Sequence, residues 1–274
     1  PNGNGNPFYR TRHGGKIKVF TFHWRDDPRK NADWYAKQQN TLDPVVLAQE
    51  VDIDYNASTS DAWISGDLIT IAQAKGPADI EVNGPWAIGV DAAHMGDDES
   101  VITKRRGLLT LPQISRRKLD GPNLAGVVEE ECKTLEESGG LIGSIVIELD
   151  GPGVSAYDML KRGKYADKVI GVHTGTRQSD DRNYNLKAKL WRSALEYLKR
   201  GGCAMDKDPE LKSQLGSYRY SYRDGLLLME SKKDYKKRLS KSPDRADSWI
   251  LTFAERQKNG GYDFSKSSAQ GLAI

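Results

Sequence analysis

From Trp86 onward the chain alternates short apolar runs with longer amphipathic stretches. WAIGVD (86–91) predicts a short buried strand, and SVITKRR (100–106) and LLTLPQISRR (108–117) predict two more joined at Gly107. Residues 122–138 have helical spacing and stop at Gly139-Gly140. SIVIELD (144–150) predicts another apolar strand that closes on an acid, followed by a helix near 153–162, a strand at KVIGVH (168–173) and a long helix near 183–200. Strands alternating with helices imply a mixed sheet covered on both faces. A hairpin turning at Asp224-Gly225 comes next, then a helix that starts near Pro243 and carries ADSWILTFAERQ.

The first third follows a different pattern. KIKVFTFH (16–23) predicts a strand, and residues 31–40 and 43–50 predict short helices, the second with Asp43 as cap and Pro44 at its first position. That is too little to fold alone. Residues 56–85 hold Gly66, Gly76, Pro77, Gly84 and Pro85, and predict a linker carrying one short helix. The expected organisation is a small α/β piece over 1–58, a linker over 59–84, an α/β domain over 85–257 and a flexible Gly/Ser-rich tail over 258–274. The polar opening PNGNGNPFYR lacks an export signal and suggests the interior of a longer polypeptide.

Composition narrows the function classes. With 274 residues, 37% of them hydrophobic, the chain can bury a substantial core, and no apolar run approaches the roughly 18 residues of a membrane span. Cys132 and Cys203 sit in unrelated contexts, which argues against a disulfide framework and against thiolate zinc; a reducing cytoplasm fits. A net charge of +3 does not by itself announce nucleic acid. Two basic runs stand out, one within 182–200 and the other Lys232, Lys233, Lys236, Lys237, Arg238 and Lys241. Either could face a phosphate backbone or be an ordinary solvated surface.

The acids carry the sharper signal. Asp91 and Asp150 each close a predicted strand, at the sheet edge where α/β folds collect their sites. One strand-end Asp more often serves a turn. In SPDRADSWILTF, however, Trp249, Ile250 and Phe253 demand burial and carry Asp244 and Asp247, three apart on one helical face, toward the same core. Convergent carboxylates without a Cys/His cluster favour Mg²⁺ or Mn²⁺. Two such ions, about 3.5–4 Å apart, can activate water and stabilise a leaving oxygen in phosphodiester hydrolysis. Two strand-end acids and a late-helix acid on a β-β-β-α-β-α frame match the RNase H-like nuclease arrangement.

Over nearly its whole length the chain also resembles the large terminase subunits of tailed phages. PNGNGNPFY resembles the stretch that follows that family's ATPase coupling motif, and HWRDDPRKNADWY with LDPVVLAQEVDIDYNAS resembles the end of its ATPase domain. GVDAAHMGDDES, IVIELDGPGVSAYD and KSPDRADSWILTFA resemble its three acidic nuclease motifs, in order. The resemblance implies an RNase H-like nuclease domain preceded by an ATPase remnant, which cuts concatemeric double-stranded DNA at the start and end of genome packaging. It assigns Asp91 as the ligand shared by two metals, Asp150 as the second-strand ligand and Asp247 as the late-helix ligand. Asp97 takes the place of a further acid after the first motif, and Asp244 is a ligand, an outer-shell group or the helix cap.

The resemblance also implies a portal protein and a small terminase subunit as partners, an oligomeric motor and the host cytoplasm as the place of action. No G-x-x-x-x-G-K-[ST] occurs, so no ATP site of the P-loop kind is expected within these residues. The GPG of 151–153 is expected to turn the chain sharply beside the metal, and His94 and His173 are weaker candidates for bases. A DNA-binding or portal-docking module without catalysis, and an RNase H-like resolvase or transposase, are the competing readings.

Overall fold

The computed structural model describes residues 7–41, 47, 51–54, 62–93, 98–178, 180 and 182–254. Its centre is a mixed sheet of β1 (Trp86–Asp91), β2 (Glu99–Arg106), β3 (Leu109–Thr110), β4 (Ile114–Arg117), β5 (Ile142–Glu148) and β6 (Val169–Val172). The strand order is β3-β2-β1-β5-β6, with β4 also pairing with β2. β1 runs antiparallel to β2 and parallel to β5, and β5 is parallel to β6. The C-terminal ends of β1 and β5 therefore lie side by side. A hairpin of β7 (Tyr220–Arg223) and β8 (Leu226–Met229) stands apart from this sheet.

The helices bounded within the described residues are α1 (Pro7–His13), α2 (Ala32–Thr41), α3 (Gly66–Ala74), α4 (Gly121–Glu137), α5 (Gly153–Leu160), α6 (Leu186–Lys199), α7 (Pro209–Leu215), α8 (Lys232–Leu239) and α9 (Asp244–Leu251). Side chains alternate across the strands, so each face has its own core. Ile88, Val90, Ile145, Ile147 and Val169 pack with Leu124, Val128, Cys132, Leu135 and Leu160 of α4 and α5. Val146, Ile170 and Val172 point the other way, into a cluster with Ile69, Leu190, Trp191, Leu211 and Trp249. None of the described helices is long and apolar enough to cross a membrane.

What positions the site is the contact of α9 with β1. A Cβ on Gly89 would lie 2.1 Å from the Ser248 carbonyl oxygen, so strand and helix backbones touch there without an intervening side chain. Ser248 Oγ donates to the Gly89 carbonyl at 2.9 Å and lies 2.8 Å from Thr103 Oγ1, which ties α9 to β1 and β2. Residues 246–251 are all buried. The helix start carries no side-chain cap of its own. Instead, Gln214 of α7 accepts from the backbone N–H of Arg245 (2.9 Å) and Ala246 (3.0 Å). Two of the four orphan donors of the first turn are thus satisfied by another helix.

Several expectations are corrected. Residues 16–23 do not form a strand: they have no ladder partner among the described residues, and Phe20 is 84% exposed. Their alternation describes a sheet face, but a strand also needs a neighbour to accept its hydrogen bonds. α2 forms where expected, whereas the helix expected at 43–50 falls almost wholly outside the described residues, as does the tail from 258. The stretch expected as a linker is packed from residue 62 on. Ile64 and Ile69 are fully buried, and the Trp63 indole donates to the Trp191 carbonyl at 2.9 Å. Its Gly and Pro residues mark turns rather than a tether. The strand expected at 108–117 breaks around Pro112, which has no N–H to donate.

The Gly89 contact makes a testable claim. Gly89→Ala should lower unfolding free energy by about 3 kcal/mol through overpacking against α9. Gly126→Ala, in the exposed interior of α4 with open space around it, should raise it by about 1 kcal/mol from helix propensity. Urea unfolding midpoints of the two variants measure both, and equal midpoints would remove the backbone contact as the anchor of α9.

Candidate functional site

Strand parity decides which acids meet. On β1 the odd positions Ala87, Gly89 and Asp91 face α9, so Asp91 ends the strand pointing into the layer of the helix acids. On β5 Val146 faces the same layer, and Glu148, two residues later, shares its side. Val90 is paired with Ile147, which places Asp91 and Glu148 one step further along adjacent parallel strands. α9 adds Asp244 and Asp247 from its first turn, and the first turn of α8 adds Lys232.

The Lys232 ammonium sits among these carboxylates. Its Nζ lies 2.9 Å from Asp91 Oδ2, 3.1 Å from Asp244 Oδ1 and 3.6 Å from Asp247 Oδ2. Asp91, Asp244 and Asp247 are buried, and Lys187 approaches Asp247 Oδ1 at 3.8 Å. The Tyr218 hydroxyl donates to Asp247 Oδ1 at 3.4 Å, and the Thr174 hydroxyl donates to Glu148. Asp244 Oδ2 accepts from the Glu99 backbone N–H at 3.0 Å. Because Gln214 caps α9, the Asp244 carboxylate is left for this interior and is not the helix cap.

The electrostatics follow from crowding and dryness. Burial pushes the Asp91 carboxyl well above its ordinary range, Lys232 pulls it back, and Asp247, Asp244 and Glu148 push it further up. Glu148 is raised by burial and then by Asp247. Burial opposes the charge on Lys232, but Asp91, Asp247 and Asp244 outweigh it and hold the ammonium protonated far above the usual lysine range. The cluster therefore keeps its negative charge only with a cation at its centre.

The residues fit a hard divalent cation. Asp247 Oδ2 is buried without a hydrogen-bond partner, the donors are all carboxylate oxygens, and a cleft lined by Asp91, Asp98, Glu148, Asp150, Lys232 and Asp244 opens to them. As arranged, no three acidic, His or Cys side chains among the described residues close on one point tightly enough to hold an ion. The ammonium occupies the centre on which they converge.

The expected site residues fare unequally. Asp91, Asp244 and Asp247 come together. Asp150 does not join them: β5 ends at Glu148, and Asp150 sits two residues beyond on the cleft rim, 43% exposed and hydrogen-bonded to His173. Sequence reasoning missed Glu148, although counting by two from Val146 would have found it. Asp97 and His94 lie outside the described residues. The GPG turn behaves as expected, with a further reason for Gly153: a Cβ there would meet the Glu148 carbonyl oxygen at 2.1 Å.

The basic run forms α8 and is largely engaged. Lys232 faces the acids rather than solvent. Lys236 pairs with Asp98 at 2.7 Å, Arg238 with Glu230 at 2.6 Å and the Ser217 carbonyl at 2.8 Å, and Lys241 with Glu210 at 3.0 Å. Lys233 and Lys237 are exposed.

No protein-family model and no curated protein matches the chain. Solved structures do. The nuclease domain of the large terminase subunit gp2 of bacterial virus Sf6 matches with a TM-score of 0.58 at 16% identity, over 70% of this chain and 97% of that one. The K428A mutant gp2c of the large terminase subunit from bacteriophage Sf6 with calcium gives 0.58 at 16%, over 70% and 98%. The K428A mutant nuclease domain of gp2 with manganese gives 0.56 at 15%, over 70% and 98%. At such identities the likeness is one of backbone, and it agrees with the strand order and helix layers described above. The chain therefore has the RNase H-like fold of the nuclease domain of a phage large terminase subunit.

Proposed function

We propose that the chain is the nuclease part of a viral genome-packaging terminase and hydrolyses phosphodiester bonds of double-stranded DNA with divalent metal ions. The observation that carries this is the buried convergence of Asp91, Asp244 and Asp247 around one cation position, with the half-buried Glu148 beside them. Structural acids have no reason to gather where burial opposes their charge. The metal-loaded neighbours of the same fold, the gp2 structures with calcium and manganese, add support. We assign Asp91, Glu148 and Asp247 as the ligands, with Asp244 beside them and Asp150 outside them. Two Mg²⁺ or Mn²⁺ ions would supply an activated water and neutralise the leaving oxygen.

The chain's own residues do the rest. β1 and β5 fix Asp91 and Glu148 side by side. Thr174 and Tyr218 orient Glu148 and Asp247 by hydrogen bonds. Lys232 keeps the carboxylates together and competes with metal for the same oxygens. The described residues between 7 and 54 contribute to neither hydrophobic core, in keeping with our reading of 1–58 as the trailing part of an ATPase domain, although the α/β body then begins near residue 62. Cutting concatemers at both ends of packaging, and assembly with a portal protein and a small subunit in the host cytoplasm, belong to this same reading.

A module that only binds DNA or docks would be indifferent to metal. The chain should nick supercoiled plasmid in Mn²⁺ or Mg²⁺ and stop in EDTA; DNA left intact under all conditions rules out the nuclease. Within the site, Glu148→Gln and Asp91→Asn should reduce cleavage at least about 10³-fold, whereas Asp150→Asn, an outer residue, should cost about 10-fold. The reverse ranking of Glu148 and Asp150 would return the second-strand ligand to Asp150.

Lys232 makes a second, separate claim. Without metal, Lys232→Ala should lose roughly 1–3 kcal/mol, below the usual range for breaking a buried pair because this side chain is 37% exposed. Saturating Mn²⁺ should then raise Tm by more in the variant than in the parent, because the competing charge has gone. An equal Mn²⁺-induced rise in both would show that the ammonium and the metal do not share the site.

A further inference from the structure

We propose that duplex DNA is held beside the acid cluster by arginines stacked on tyrosine, on a surface built from residues 174–178, 182–185 and the β7–β8 hairpin. The inference rests on the cleavage function proposed above and supplies the backbone grip that function needs.

The surface is continuous with the site at both ends. Thr174 hydrogen-bonds Glu148, and the chain leaving β8 reaches Lys232 within three residues. Between these anchors, residues 182–184 lie along β8. The Tyr184 N–H donates to the Leu227 carbonyl at 2.8 Å, and the Leu227 N–H donates to the Arg182 carbonyl at 2.9 Å. Leu227 is fully buried beneath them, so the hairpin is pinned to the body rather than hanging free.

On this support the Arg177 guanidinium lies 4.0 Å and the Arg223 guanidinium 5.1 Å from the centre of the same Tyr184 ring. The aromatic face favours each cation, but two like charges on one ring repel each other, and an anion between or above them relieves that repulsion. Arg177, Arg182, Arg219 and Arg223 are all exposed, and among the described residues their guanidinium groups have no carboxylate partner. Lys233 and Lys237 are exposed as well, but the other basic positions of that run and of β2 differ. Lys104 pairs with Glu131 at 2.6 Å, and Lys236, Arg238 and Lys241 are paired as described above.

Planar guanidinium groups match phosphate oxygens two at a time, and stacking on Tyr184 orders them before DNA arrives. The ring itself is covered by the arginines and is not offered to bases. The contact is therefore to the backbone and does not read sequence, as a grip on arbitrary genomic DNA requires.

Fluorescence anisotropy on a labelled duplex in EDTA tests this apart from cleavage. Arg177→Ala with Arg223→Ala should bind roughly tenfold more weakly in about 0.1 M salt, with the slope of log K against log salt reduced by about 1.8. Arg177→Lys with Arg223→Lys should restore most of the slope, and Arg177→Glu with Arg223→Glu should bind more weakly still. Thermal unfolding should be unchanged by the alanine pair, because both side chains are exposed. Unchanged affinity and slope in the alanine and glutamate pairs would overturn the grip while leaving metal-dependent cleavage standing. Loss of binding in a chain whose parent never cleaves DNA would overturn the nuclease reading and leave the grip.

Discussion

The α/β body of this molecule answers to one electrostatic constraint: three buried carboxylates and a half-buried fourth share the base of one cleft, and their charge is tolerable only with positive charge at its centre. Isolated buried carboxylates would be protonated or would force the fold open. Lys232 supplies that charge from α8, within 2.9–3.6 Å of three of the acids. The nearby ladder of Tyr218, Thr174 and Lys187 orients what remains. The same arrangement that stabilises the metal-free protein is thus a template for the cations the proposed chemistry uses.

Holding the acids together is mostly backbone work. β1 and β5 are parallel neighbours, and their last residues deliver Asp91 and Glu148. Gly89 lets α9 touch β1 without a side chain between them, and Gly153 lets α5 start against the carbonyl of Glu148. Gln214 takes over the capping of α9, which frees Asp244. None of these three residues carries the proposed chemistry, yet each sets where a carboxylate points.

Much of this was legible from the chain alone because it depends on local period and on strand-end chemistry. Four of the sheet strands and the helices between them follow from apolar runs and helical spacing, while β3 and β4 were read as one strand, and Asp91, Asp244 and Asp247 follow from a strand end and a buried helix. Glu148 was obscured by Asp150, which looks like the strand's last residue because Leu149 prolongs the apolar run; only the ladder shows that β5 stops earlier. Lys232 was hidden for a different reason. In a lysine-rich run each residue looks alike, and which one turns inward depends on how α8 docks, a tertiary fact with no local signature. Gln214 as a cap and Tyr184 as a platform for Arg177 and Arg223 are likewise products of distant segments meeting.

The parallel pairing of β1 with β5 carries one more consequence. Adjacent strands in any sheet stand about 4.8 Å apart because backbone hydrogen bonds set that distance. The separation between the bases of Asp91 and Glu148 is therefore a ruler made of peptide groups, indifferent to which apolar side chains fill the layers above and below. Side chains on both faces can be exchanged wholesale while the ruler keeps its length. A chain with 16% identity to the Sf6 domain can for that reason retain its backbone over 70% of its own length, and drift in the core need not carry the acids apart.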